Sequence, residues 1–210
     1  MASEPALSSS PFRSTRTTAG EREEKRDALL LAAVRMFNER GFHATSLDDV
    51  AATLGVTKPV IYHHLGNKEQ VLFECVRRGI EKLHRAADQA RTEPGTGLDR
   101  LRSFLRLYAQ VIMGEFGRCV IRTGEELLSP DARLKFRALK REIDDAMLAM
   151  IVLAAEDGSA RIADARLTGL AFAGSLNWLA RWYRVDGPLP PSEMAAQLVD
   201  ILCAGIEPRQ

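Results

Sequence analysis

Residues 46–68 read SLDDVAATLGVTKPVIYHHLGNK and predict two short helices around a tight turn, followed by the start of a third helix. Ser46 and Asp49 have the spacing of a capping box at the first helix start. Gly55 suits the left-handed position that ends a helix, and Thr57 suits the N-cap of the next helix. This pattern is typical of a helix-turn-helix, whose second helix enters the major groove of DNA.

The composition of the chain limits the classes of protein to which it can belong. A length of 210 residues fits one compact domain, or a small domain fused to a larger one. Because the net charge is only +1, contacts with nucleic acid must rest on local charge, such as Lys58 and Lys68. Three scattered cysteines without a C-x-x-C pair indicate neither a disulfide framework nor a zinc site. With no apolar run of membrane-spanning length and no signal peptide, we expect a cytoplasmic, nucleoid-associated protein without metal or cofactor.

Helical periodicity without strand alternation predicts an all-α fold of about nine helices. Residues 1–20 lack periodicity and are predicted to be a disordered tail, either a solvated leader or a basic arm that reaches a minor groove. Residues 21–70 are predicted to form a three-helix DNA-binding domain, and residues 71–210 a larger helical domain. After the motif, we expect helices over about residues 67–90, 98–113, 119–128, 131–155, 161–183 and 192–206.

A helix ending AAVRMFNERGF precedes the motif, and NKEQVL follows the recognition helix. Over residues 26–76 the chain resembles the TetR family of bacterial transcriptional regulators. The positions that match the pattern of that family are Gly41, Phe42, Thr45, Val50, Ala51, Gly55, Val56, Tyr62, His64, Asn67, Lys68 and Glu69. The resemblance implies a homodimer that binds a double-stranded DNA operator, with the last two helices at the dimer interface and the middle helices around a ligand pocket.

The resemblance also implies roles for residues of the motif. Phosphate contacts are expected from Thr45, Tyr62, His64 and Lys68. Base reading is then expected from Thr57, Lys58, Pro59, Val60 and His63, with Lys58 donating to guanine and Val60 touching a thymine methyl. As alternatives, Tyr62 is a packed aromatic, His64 a surface histidine and Val60 a filler. Asp48 stands where some members of the family have an arginine that contacts bases. We therefore expect the first helix of the motif to contribute less to base recognition here.

The C-terminal half carries a second, weaker resemblance. Residues 177–191, NWLARWYRVDGPLPP, look like the corresponding segment of members that regulate lipid, sterol or aromatic-acid breakdown, some of which respond to acyl-CoA thioesters. The candidate ligand-binding residues are Phe104, Tyr108, Arg122, Met147, Asn177, Trp178, Arg181 and Trp182. The alternative is that both tryptophans are bundle core and Arg181 a surface group. For the dimer interface we expect residues 161–183 and 192–206, with Ala171, Gly174 and Ala195 allowing close helix approach.

Two classes of function follow. The first is a repressor that a small-molecule effector, such as an acyl-CoA or another lipid or aromatic-acid metabolite, releases from a palindromic operator. The second is a DNA-binding regulator or architectural protein without an effector, for which the C-terminal core should be filled. No arrangement typical of a catalytic site is evident, so we do not expect an enzyme.

Overall fold

The structure, a computed structural model, describes residues 19–208. These residues contain nine α-helices and no β-strand, which confirms the predicted all-α fold. The helices are α1 Ala19–Arg40, α2 Leu47–Thr53, α3 Lys58–Leu65, α4 Lys68–Thr92, α5 Gly97–Met113, α6 Glu115–Arg122, α7 Pro130–Glu156, α8 Ala165–Trp182 and α9 Pro191–Ala204. The chain divides into two compact units between Val71 and Leu72. No helix within the described range is both long and apolar enough to cross a membrane.

The predicted helix bounds need three corrections. The predicted tail over residues 1–20 lies outside the described residues except for its last two, and these begin α1. The predicted helix over residues 119–128 is instead α6, which starts earlier at Glu115 because Gly114 separates it from α5, and a short 3-10 turn over Glu125–Leu127. Finally, α8 starts at Ala165 because the Asp164 side chain caps it by accepting from Leu167 N.

Capping boxes stand at the starts of α2 and α4, and the one at α2 confirms the prediction for Ser46 and Asp49. Asp49 N donates to Ser46 Oγ at 3.0 Å, and Ser46 N donates to Asp49 Oδ2 at 3.0 Å. Asn67 and Gln70 exchange the same pair of bonds at the start of α4, at 2.9 and 2.8 Å. Thr57 occupies the N-cap of α3, as predicted, although its side chain makes no cap hydrogen bond.

The turn between α2 and α3 depends on one glycine, and the two short helices depend on α1. Gly55 has a φ of +65°, the left-handed conformation in which glycine carries no side-chain penalty. Both helices pack against α1, which supplies a buried apolar stripe. The fully buried residues of this core are Leu29, Leu30, Ala33, Val34, Val50 and Ile61.

The second unit is arranged around α5, which packs against α6, α7, α8 and α9. Its inward face is fully buried at Leu101, Phe104 and Leu105. Within this unit α4 passes close to α6 at Gly79, where a Cβ atom would lie 2.6 Å from the carbonyl oxygen of Phe116. A glycine is therefore required there for the two backbones to approach each other.

Replacing Ser46 tests the first capping box. Ser46→Ala removes the acceptor of the Asp49 N–H bond and should destabilise the first unit by about 1 kcal/mol. Thr57→Ala is the matched control, because Thr57 sits at an N-cap without a side-chain cap bond, and its effect should stay within about 0.5 kcal/mol. Hydrogen exchange of α1–α3 amides across a denaturant series measures both changes. Equal losses in the two variants would contradict a stabilising role for the box.

Candidate DNA interface and ligand cavity

The residues predicted to read bases lie along one side of α3. Thr57, Lys58, Pro59 and His63 are exposed, and Val60 is half-buried. Tyr62 keeps 50% of its surface exposed, so the alternative of a packed core aromatic is wrong. On the opposite side of the helix, Ile61 and Leu65 are buried in the first unit. The short helix therefore divides cleanly into a packed side and a side that can meet DNA.

An ion pair joins α2 to the start of α3. Lys58 Nζ lies 2.5 Å from Asp48 Oδ2, and the two side chains are 68% and 38% exposed. The hydrogen bond to Asp48, and then the charge of Asp48, raise the pKa of Lys58. Sequence reasoning treated Asp48 only as a poor reader of bases and missed this pair, because the two residues belong to different helices.

His64 and Lys68, both predicted to contact phosphates, are half-buried. Lys68 Nζ lies 4.3 Å from the centre of the Phe42 ring and 3.4 Å from the carbonyl oxygen of His43, which holds it against the loop after α1. Burial, and then the charges of His63 and of basic residues in α1, lower the pKa of His64, so its imidazole is neutral at pH 7. In the DNA-free protein His64 is therefore a neutral donor, and a nearby phosphate would favour its protonated form.

The predicted phosphate contact of Thr45 is wrong for its side chain. Thr45 is 1% exposed, and its hydroxyl points at the carbonyl oxygens of Gly41, at 2.9 Å, and Met36, at 3.3 Å. Its backbone N–H also donates within the loop, to the carbonyl oxygen of Phe42. Because packing of α2 on α1 buries this position, Thr45 joins the two helices and presents nothing to DNA.

A cavity of about 220 Å³ lies within the second unit. Its lining combines apolar and polar side chains of α4, α5, α7 and α8 with those of α6 and the segment after it. The lining residues are Ile80, Leu83, Tyr108, Val120, Ile121, Thr123, Glu125, Phe136, Lys140, Ile143, Asp144 and Asn177. Two of the predicted ligand residues, Tyr108 and Asn177, are therefore brought together here from positions far apart in sequence.

Tyr108 and Asn177 form the central polar contact of this cavity. The Tyr108 hydroxyl donates to Asn177 Oδ1 at 2.8 Å, and Phe104 packs edge-on against the Tyr108 ring. Burial raises the pKa of Tyr108, so the phenol stays protonated. Burial also raises the pKa of Asp144. No sequence signal marks Lys140, Asp144 or Thr123, because only the packing of α7 and α6 brings them to the cavity.

The other predicted ligand residues lie elsewhere. Met147 is buried in the core and does not line the cavity. Arg122 and Arg181 are exposed and do not line it either. Trp178 and Trp182 are 61% and 44% exposed, so they belong neither to this cavity nor to the core of their own subunit. The exposure of the two tryptophans corrects both interpretations made of them from the sequence, whereas Arg181 is a surface group, as the alternative predicted.

An apolar strip runs along the exposed side of α8. Leu167 and Leu170 are mostly exposed, Trp178 and Trp182 continue the strip at helical spacing, and Ile201 of α9 is exposed as well. Ala171 and Gly174 are exposed between these large residues, whereas Ala195 is fully buried within the subunit and cannot serve the predicted close approach. A solvent-exposed strip of this kind marks an interaction surface.

A capped helix-turn-helix with an exposed side on its second helix, joined to a larger helical unit, is typical of a DNA-binding transcriptional regulator. The chain belongs to the TetR family of bacterial regulatory proteins. The family model of that name matches residues 29–75, and the tetracyclin repressor-like C-terminal domain matches residues 94–206, more than half of the chain. These matches confirm the family suggested by the motif, whose members are DNA-binding transcriptional regulators rather than enzymes.

Relatives match over nearly the whole length. The transcriptional repressor KstR2 of Mycolicibacterium smegmatis is 28% identical, over 92% of this chain and 96% of that protein. The structure of PfmR from Thermus thermophilus is 33% identical, covers 86% of this chain and 99% of its own, and superposes with a TM-score of 0.77. AibR in complex with isovaleryl coenzyme A and operator DNA has the same fold, with 24% identity, coverage of 85% and 98%, and a TM-score of 0.75.

Proposed function

We propose that this protein is a homodimeric repressor that a small-molecule effector releases from a palindromic operator. The observation that carries the effector part of the proposal is the cavity of about 220 Å³ in the second unit, because its lining combines apolar walls with hydrogen-bonding groups suited to a small molecule. KstR2, a relative over nearly the full length, is a repressor, and FasR, similar over 88% of this chain, is an activator, so the choice of repression follows KstR2. The alternative, a DNA-binding protein with a filled C-terminal core, is disfavoured by the same cavity.

The dimer is proposed to form through the apolar strip of α8 and the neighbouring side of α9. One helix-turn-helix touches few base pairs, whereas two related by symmetry can read half-sites about one helical turn apart. The strip exposes Leu167, Leu170 and Trp178, which a second copy would remove from water. Ala171 and Gly174 between them would let the two α8 helices approach closely.

The effector is proposed to be an acyl thioester with a compact acyl group, either short and branched or a single ring. A cavity of about 150 Å³ is enough to hold benzene, so about 220 Å³ suits a body somewhat larger than one ring and much smaller than a steroid. The Tyr108–Asn177 pair offers hydrogen bonds to a carbonyl group, and Lys140 offers a positive charge at the cavity wall. AibR, which binds isovaleryl coenzyme A, supports this class.

Helix α4 is proposed to carry the signal. Its residues Ile80 and Leu83 line the cavity, and its first residue, Lys68, is a proposed phosphate contact. A ligand that favours one placement of α4 would thereby change the position of Lys68. The effector needs to favour the released state by only a few kcal/mol, because control depends on its differential affinity for the two states.

Removing a phosphate contact should weaken binding to all DNA sequences alike. Lys68→Ala should reduce the slope of log affinity against log salt by about 1, and Tyr62→Phe should lower affinity about tenfold for any duplex. Lys135→Ala is the control, because Lys135 is an exposed lysine of the second unit and should leave the slope unchanged. Gel-shift titrations at increasing salt measure these effects. An unchanged slope for Lys68→Ala would remove Lys68 from the contacts.

A charge on the apolar strip should break the proposed dimer. Leu170→Asp places a carboxylate at a residue that is 70% exposed in the single chain but would be buried in the dimer, so the protein should sediment as a monomer. Leu134→Asp alters an equally exposed leucine of α7, outside the strip, and should remain dimeric. Analytical ultracentrifugation separates the outcomes. A monomeric wild-type protein, or a dimeric Leu170→Asp protein, would contradict this interface.

A fitting effector should stabilise the protein by mass action. At a concentration about 100 times its Kd, isovaleryl-CoA or phenylacetyl-CoA should raise the Tm by about 5–10 °C, whereas palmitoyl-CoA and free coenzyme A should have little effect. Ile121→Phe narrows the cavity and should abolish the shift, while Leu134→Phe on the surface should retain it. Differential scanning fluorimetry measures each Tm. No shift with any thioester would favour the regulator without an effector.

A further inference from the structure

Asp48 and Lys58 present a hydrogen-bond acceptor and a donor side by side at the start of the recognition helix. Their charged groups are 2.5 Å apart, and Lys58 is 68% exposed. Asp48 Oδ1 is buried and has no hydrogen-bond partner among residues 19–208, which leaves Oδ2 as the carboxylate oxygen that can face solvent. The oxygen that holds Lys58 is therefore also the one that an incoming base could reach.

We propose that this pair reads one G·C base pair as a unit, which makes Asp48 a specificity-determining residue. The proposal rests on the proposed function, in which α3 enters the major groove. There, guanine offers N7 and O6 as acceptors, and the paired cytosine offers its N4 amino group as a donor. The Lys58 ammonium has three N–H donors, so one can stay with Asp48 while two reach guanine. Asp48 Oδ2 accepts from the cytosine amino group beside it.

An A·T pair meets the same two side chains less well. Adenine offers one acceptor, N7, and one donor, N6, while thymine adds an O4 acceptor and a methyl group. The Asp48 carboxylate would then face the thymine O4, and two acceptors in contact repel each other. Lys58 would also lose one of its two acceptors on the purine. The pair thus selects by repulsion of one base pair as well as by attraction to the other.

The pairing also explains how an acidic residue is tolerated at this surface. An isolated carboxylate on α2 would repel DNA phosphates, but Lys58 neutralises it within hydrogen-bond distance. The pair has no net charge, so it adds little to the salt-dependent attraction that all DNA sequences share. Its contribution lies in discrimination between base pairs. An unpaired lysine, in contrast, would attract the phosphates of every DNA sequence alike.

Binding-site selection from a pool of randomised duplexes, using the full-length chain, tests the proposal. The base pair that Asp48 and Lys58 read is identified as the operator position at which the Lys58→Ala variant loses the wild-type base preference. In the wild-type selection this position should be G·C, favoured about tenfold over A·T. Asp48→Asn keeps the shape of the side chain but adds a donor, so the variant should still bind DNA and should accept A·T at that same position.

Glu39→Gln is the matched control, because it removes one negative charge from an exposed position of α1 in the same unit. It should retain the wild-type preference for G·C. The proposal is overturned if Lys58→Ala alters no position, if the altered position is A·T in the wild type, or if Asp48→Asn keeps the wild-type preference. If the wild-type protein enriches no sequence at all, the proposed function fails instead.

Discussion

Two helices of the DNA-binding unit are too short to be stable alone. α2 has 7 residues and α3 has 8, whereas isolated helices shorter than about 12 residues are marginal in water. Both must therefore draw their stability from packing, and they do so by burying Val50 and Ile61 with α1. This small core sets the directions of the exposed side chains of α2 and α3, which are the proposed DNA contacts. A change in the core would misplace the reading residues without altering any of them.

The buried Thr45 hydroxyl shows how this constraint acts. It donates to the carbonyl oxygens of Met36, in the last turns of α1, and of Gly41, just after the helix. These bonds fix where the chain turns into α2. Ser46, the next residue, is exposed and caps α2 through its own side chain. Two adjacent hydroxyl residues thus have different structural roles: Thr45 joins the loop to α1 inside the unit, and Ser46 caps α2 at its surface.

Sequence could predict what depends on neighbours along the chain. The capping boxes of Ser46 and Asn67 and the turn at Gly55 are encoded within four residues, and all three are present. Thr45 could not be placed, because only its packing against α1 decides that it is buried. The Asp48–Lys58 pair was missed for the same reason, since it joins two helices.

The second unit was predictable in its helices but only partly in its surfaces. Apolar periodicity predicted the helices α5 and α7, yet periodicity alone does not tell whether an apolar side faces the core, a cavity or a partner. Trp178 and Trp182 have the spacing of a buried stripe and are exposed. Tyr108 and Asn177, in contrast, meet inside the unit through a hydrogen bond across 69 positions of sequence.

This unit has an apolar core, but polar side chains lie at the wall of its cavity and large apolar side chains lie on its surface, where stability alone would not favour them. A closed and empty apolar cavity of about 220 Å³ would cost about 5 kcal/mol, whereas this cavity is open to solvent beside the exposed residues Lys140 and Asp144. Tyr108, Asn177, Lys140 and Asp144 reduce this cost because their polar atoms allow water to occupy the space. The same atoms set a condition on any ligand. A ligand that displaces the water must replace its hydrogen bonds, so a purely apolar molecule of the right size would bind poorly.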